Sequence, residues 1–212
     1  MEATLKGCYE VDKNPEATAT IAVKAGDVKL GASVTTTVHT PSLTDFLLSV
    51  HKPDSFVVDY SVSKKNFGFK FMNKVKVGER PLHLTYEQKR SENKTVLDGA
   101  FEFAPANKAT LKYAFDSKTC NLKYTYVHKE LTTFEPSYDV AKNTWDFAVS
   151  RRLHGDYTLK ASYQTFDKVF CLEWARDSKH VERCFKISAS VKLDEQLKTP
   201  KLGAETTWNL NM

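Results

Sequence analysis

Four cysteines and six histidines are the side chains of this 212-residue sequence best suited to act as nucleophiles, metal ligands or redox centres. Cys8, Cys120, Cys171 and Cys184 form no C-x-x-C pair and no zinc-ligand pattern with the histidines, so free thiols are expected. The histidines fall into no Ser/Asp or Cys/His arrangement of informative spacing, and no glycine-rich loop able to cradle a phosphate occurs. An enzyme is therefore not expected, and neither a cofactor nor a metal is implied. Asn93-Lys94-Thr95 spells a glycosylation sequon, idle without a signal peptide. Two groupings carry more. Lys70, Lys74 and Lys76 would project from one face of an extended segment as an anion-attracting strip for phosphorylated solutes, against the plainer alternative of a solvated face. Cys171 and Cys184 share one strand phase and would lie opposite each other across a two-residue turn at Asp177-Ser178, which allows a redox-sensitive bridge that one step of register removes.

The segments that must position these residues are strands. Period-two alternation recurs along the chain, most clearly over Phe67–Val77, where the odd positions are apolar except Asn73 and the even ones carry Lys70, Lys74 and Lys76. Turn residues interrupt it about every dozen positions, as at Asp12-Lys13-Asn14-Pro15, Ala25-Gly26, Lys64-Lys65-Asn66, Gly78-Glu79-Arg80 and Pro105-Ala106-Asn107. Two stretches are ambiguous. Ser42 to Lys52 admits a short helix with Leu43, Leu47 and Val50 on one face, and Pro136 breaks Leu131 to Val140. The expected fold is all-β, a closed antiparallel up-and-down transmembrane β-barrel of about 14 strands, with 12 to 16 possible. No composition shift marks a boundary, so residues 1–212 are expected to form a single barrel domain.

Alternation alone also fits a soluble barrel or sandwich that binds an apolar ligand, so the chemistry of each phase has to decide. Nearly every strand is two-faced to the same degree. Tyr9, Tyr86, Tyr126, Trp145, Trp174 and Trp208 stand on the apolar phase near strand ends, as aromatic girdles would, although core aromatics would read the same way. The polar phase mixes both signs. Lys29, Lys70, Lys74, Lys76, Lys112, Lys123, Lys160 and Lys186 stand with Glu87, Glu102, Asp146, Glu173 and Glu205 as candidate pore-lining residues. Burying one such ion unpaired costs several kcal/mol, so this face must be wet, either outside a soluble protein or inside a pore.

Composition narrows the classes further. Hydrophobic residues make up 41% and charged residues 27%, with thirteen Phe, nine Tyr and three Trp, so disorder is not expected. Apolar runs reach only a few residues, where a spanning helix needs roughly 20. The formal charge of +5 is spread over 31 basic and 26 acidic residues, which argues against a nucleic-acid partner. The first residues read as neither signal peptide nor transit peptide, so no cleaved address is expected.

Several blocks resemble a known family. They include Phe69-Lys70-Phe71-Met72-Asn73, Leu122-Lys123-Tyr124-Thr125-Tyr126-Val127-His128, Trp145-Asp146-Phe147-Ala148-Val149-Ser150-Arg151 and Ala161-Ser162-Tyr163-Gln164-Thr165, and the chain is similar throughout its length to the plastid outer envelope pore protein 24 family. The resemblance implies a channel of the chloroplast and etioplast outer envelope, voltage-dependent, weakly selective and slightly cation-preferring. It also implies passage of triose phosphates, dicarboxylates, phosphate, ATP, sugars and charged amino acids, with the lipid bilayer and small ions as partners and a homo-oligomeric assembly. Gly31 and Gly68 stand where the family commonly carries Arg, Lys70 where it carries Gln and Ser137 where it carries Cys, so the wall charge of this pore differs from the family pattern.

Overall fold

In a computed structural model, residues 1–11, 13–37, 43–90, 93–154, 156–176, 183–194 and 200–211 are described. They form strands β1 (Glu2–Glu10), β2 (Glu16–Ala25), β3 (Val28–Thr37), β4 (Leu43–Lys52), β5 (Phe56–Ser61), β6 (Asn66–Val77), β7 (Arg80–Lys89) and β8 (Lys94–Ala104). Strands β9 (Asn107–Ala114), β10 (Thr119–His128), β11 (Thr132–Asp139), β12 (Thr144–Arg152), β13 (Tyr157–Gln164), β14 (Val169–Arg176), β15 (Arg183–Lys192) and β16 (Lys201–Asn211) complete the set. Each pairs antiparallel with its sequence neighbours, and β1 pairs with β16 from Glu2↔Asn211 to Glu10↔Gly203, which closes the sheet and removes both edges.

The count of sixteen lies at the upper end of the expected range, because both ambiguous segments are strands. The helix admitted for Ser42 to Lys52 does not form over its described residues. Leu43–Lys52 is β4, with Phe46, Leu48 and Val50 on the apolar phase and Leu47 on the opposite one, facing Ser33 and Ser61. A three-and-four spacing of leucines had imitated one helical face. Pro136 lies inside β11 and costs only a local gap. It pairs with Phe147 on one side, while on the β10 side the register passes from Lys123↔Ser137 to Tyr126↔Phe134, because proline brings no N–H to the ladder.

The proposed cysteine juxtaposition is corrected. In the β14–β15 register Cys171 faces Ser190 and Arg176 faces Phe185, so the two strands meet six positions away from the pairing a turn at Asp177-Ser178 would impose. That turn lies outside the described residues. The two thiols share the inner phase at different heights, and none of the four cysteines forms a disulfide among the described residues. Oxidised and reduced protein should accordingly show the same mobility on denaturing gels, and a faster-migrating oxidised band would contradict this register.

Exposure separates the two faces. Along β10, Leu122, Tyr124 and Tyr126 are exposed while Lys123, Thr125 and Val127 between them are half-buried, and β12 and β14 repeat the pattern. The apolar phase is the more exposed one, the reverse of a soluble protein: Ile21, Phe71, Trp145, Phe147 and Leu202 are all 48–51% exposed. Among the described residues the only buried apolar side chains are Val96 and Ala100, and both stand on the polar phase, crowded by longer neighbours on the concave wall. The apolar phase is thus the convex outer surface. Among the described residues no helix is long and apolar enough to cross a membrane; the crossing elements are strands.

Hairpins are closed by residues in the left-handed region, among them Gly26 and Gly78 at φ of 65° and 64°, where glycine carries no Cβ penalty. Beside Gly26, the hydrogen bond and charge of Lys52 at 2.8 Å hold the Asp27 carboxyl below the usual range, so this tie between turns is complete at neutral pH and is lost as pH falls through that lowered range.

Candidate functional site: the charged inner wall

Registers around one circuit accumulate a shear of about 18 residues, which tilts the strands by roughly 40°. Sixteen strands about 4.8 Å apart then close a backbone cylinder about 30 Å across, and wall side chains leave a bore on the order of 15 Å. Strand alternation aims every second side chain into it, so all thirteen candidate residues stand on the inner phase.

From β13 to β1 the inner charges alternate around the wall. Lys160 faces Glu173, Lys186 reaches Glu173 at 3.3 Å and faces Glu205, and Lys6 holds Glu205 at 2.7 Å. Farther round, Lys123 pairs with Glu135 at 2.5 Å, and Glu102 lies between Lys108 at 3.8 Å and His83 at 3.9 Å. Lys112 faces Asp98 in register, Lys29 holds Glu2 at 3.1 Å, and Asp146 accepts from the Thr165 backbone N–H at 3.3 Å. Strand β6 differs. Lys70 faces Glu87, but that carboxylate is taken by Lys89 at 3.6 Å, and among the described residues none of Lys70, Lys74 and Lys76 has a carboxylate within 4.0 Å. The three lysines form a positive strip in which Lys74 and Lys76 face His83 and Pro81, whereas Lys112 and Lys160, also outside the ion pairs, each face a carboxylate in register.

The partners His83, Lys89, Lys108 and Glu135 were not singled out from the sequence. Glu102 and Lys108 flank the Pro105-Ala106 turn without being symmetric about it, and the register shift between Glu102 and Ala104 brings them face to face. These pairs contribute little to stability, because they are partly exposed and screened. Lys186→Met removes the ion-pair partner of Glu173 while Glu205 keeps Lys6, and it should cost less than about 1 kcal/mol of unfolding free energy in a denaturant titration.

Among the described residues no group of three or more His, Cys, Asp or Glu could hold a metal. Solved structures with a similar fold include bacterial porins and other bacterial outer membrane proteins. A triple mutant of the Rhodopseudomonas blastica porin superposes with a TM-score of 0.58 at 7% identity, covering 99% of this chain and 98% of that one. The Acinetobacter baumannii outer membrane protein Omp33 superposes with a TM-score of 0.54 at 10% identity, covering 99% and 97%. At such identities the likeness shows the fold alone. Relatedness comes from sequence. The chloroplastic outer envelope pore protein 24B of Arabidopsis thaliana is 49% identical over 214 residues, covering 100% of this chain and 99% of its own. The chloroplastic outer envelope pore protein 24 of Oryza sativa subsp. japonica is 41% identical over 222 residues, covering 99% of each. Residues 1–211 match the family described as outer envelope pore protein 24. The chain belongs to the outer envelope pore protein 24 family, and it is a β-barrel channel of the chloroplast outer envelope and not an enzyme.

Proposed function

We propose that residues 1–212 form one pore domain through which small charged metabolites and inorganic ions diffuse down their gradients, with weak selectivity. The solutes are those the family resemblance implies: triose phosphates, dicarboxylates, phosphate, ATP, sugars and charged amino acids. The observation that carries this reading is the inner wall itself, with charges of both signs around a bore on the order of 15 Å, wider than any of these solutes. Such a wall replaces part of a solute's hydration without binding it tightly, which transit requires.

Two features bear on selectivity in opposite senses. Asp59, Asp98 and Asp146 stand on the inner phase outside the ion pairs and favour the slight cation preference of the family; Lys70, Lys74 and Lys76 form a concentrated strip that favours phosphorylated anions. The thirteen candidate residues are proposed to line the conducting path, with the β6 strip as its principal anion contact. A homo-oligomer fits an outward recess on β16, β1, β2 and β3 lined by Leu5, Gly7, Ala17, Ala19, Val34 and Trp208, where small side chains let a second barrel approach. Voltage dependence is carried over from the family.

The test is reconstitution in planar bilayers with reversal potentials measured in a salt gradient. A large conductance with a reversal potential that is a small fraction of the Nernst limit supports the proposal; strict selectivity for one sign would overturn it. The soluble, ligand-binding alternative requires the apolar phase inside the barrel, and that phase is outside.

A further inference from the structure

On the strands, the outward phase carries charge at one end only. Among the described residues, no strand position on the outward phase holds a carboxylate, and the basic ones are Lys52, Arg80, Arg151, Arg176 and Arg183. All five stand at the rim that also carries the two chain termini, beside the turns that follow even-numbered strands. The outward positions next to the opposite rim are uncharged, among them Tyr9, Tyr60, Phe67, Tyr138 and Trp145. Lys52 is neutralised by Asp27 at 2.8 Å, whereas the four arginines have no carboxylate within 4.0 Å among the described residues.

Two of these arginines are held in place by aromatic rings. The Arg176 guanidinium lies 5.5 Å over the Tyr157 ring and that of Arg183 lies 4.9 Å over Trp208. Between them Trp174 packs against Tyr157 and Phe185, with ring centroids 5.8 and 5.1 Å apart. Stacking fixes each guanidinium at the depth where the apolar face ends and leaves its N–H groups free for an acceptor. Arg176 Nε is buried and has no hydrogen-bond partner, a donor whose desolvation nothing in the chain offsets.

We propose that this arginine rim, centred on Arg176 and Arg183, binds the anionic headgroups of membrane lipids and so sets the end of the barrel bearing both termini in the more anionic leaflet. A headgroup phosphate or sulfonate offers the planar, multi-acceptor surface that a guanidinium fork matches, and its acyl chains continue down the apolar wall formed by Trp174, Phe185 and Trp208. Headgroups reach this rim from the bilayer, where the outward phase already lies, whereas a soluble anion would have to leave water for the lipid interface.

The tryptophans supply the readout. In a Trp145→Phe background only Trp174 and Trp208 remain, both at this rim, and lipids with brominated acyl chains quench them according to local occupancy. In mixed vesicles, brominated phosphatidylglycerol should be enriched around them over brominated phosphatidylcholine by at least about fivefold at low salt, the weight of one such charge. Raising the salt should shrink the preference towards one. The double substitution Arg176→Gln and Arg183→Gln should abolish it, while Arg90→Gln at the opposite rim leaves it intact; an unboiled gel shift confirms that each variant has formed the barrel. Equal quenching by both lipids, or a preference that survives high salt or the double substitution, would overturn the proposal. Collapse of the preference in millimolar inorganic phosphate but not in sodium chloride of equal ionic strength would also overturn it, by assigning the arginines to a soluble anion.

Discussion

Ala161→Arg is expected to destabilise the folded barrel by about 2–4 kcal/mol, whereas Ser162→Arg, one residue along the same strand, should cost less than about 1 kcal/mol. The two substitutions add nearly the same volume and the same charge. They differ only in direction. Ala161 lies between Val149 and Leu172 on the outward apolar phase near the middle of β13, so a guanidinium there enters hydrocarbon. Ser162 lies between Ala148 and Cys171 on the inner phase, with small neighbours on both sides and water in front. Urea titration of each variant in lipid vesicles, followed by heat-modifiable gel migration, measures the difference. Equal costs would mean that the two faces meet the same solvent.

The joint reversal of Lys70, Lys74 and Lys76 to Glu should make the channel cation-selective, with a several-fold change in the permeability ratio and slower passage of phosphorylated anions. These lysines lack close carboxylates, so their field is not cancelled locally, and the low-dielectric wall focuses it into the bore. A matched reversal of Lys160, Lys186 and Lys6 should change selectivity less per charge. That ladder is compensated by Glu173 and Glu205, and its disruption frees carboxylates already present. Reversal potentials in a salt gradient compare the two. An unchanged potential in the β6 variant would reduce its lysines to an ordinary wet face.

Much of this architecture was legible because alternation is a property of single strands. The run Phe67–Val77 displays both faces without any knowledge of its neighbours, and the unbroken registers of β6 with β5 and β7 keep that phase. Less legible was anything that depends on register. Leu43, Leu47 and Val50 satisfied a helical spacing, and only the pairing with β3 and β5 turns Leu47 inward and makes Ser42 to Lys52 a strand over its described part. Pro136 counted against a central strand, but the outward phase of a barrel tolerates one missing ladder bond. The Cys171–Cys184 pairing failed for the same reason, since one register, set by a connection of unknown length, decides every partner along β14 and β15.

Alternation within one strand sorts the charges by phase, while which of them meet is hidden, because an ion pair joins two strands. Nor did the sequence expose the asymmetry of the outer rims. Arg80, Arg151, Arg176 and Arg183 look scattered until the up-and-down topology brings the ends of even-numbered strands and the starts of odd-numbered ones to a single rim.

The account depends on ionic side chains facing the water-filled bore and apolar ones facing lipid, and a thiol moved by one residue tests it most directly. With Cys8, Cys120 and Cys184 changed to Ser, Cys171 remains on the inner phase of β14, and its neighbour Leu172 is 41% exposed on the outer one. A membrane-impermeant cationic thiol reagent applied to the reconstituted channel should modify Cys171 rapidly and lower the conductance. In the shifted variant, Cys171→Ser with Leu172→Cys, the thiol should be protected by lipid and the conductance unchanged. Rapid modification at 172 with protection at 171 would contradict the account.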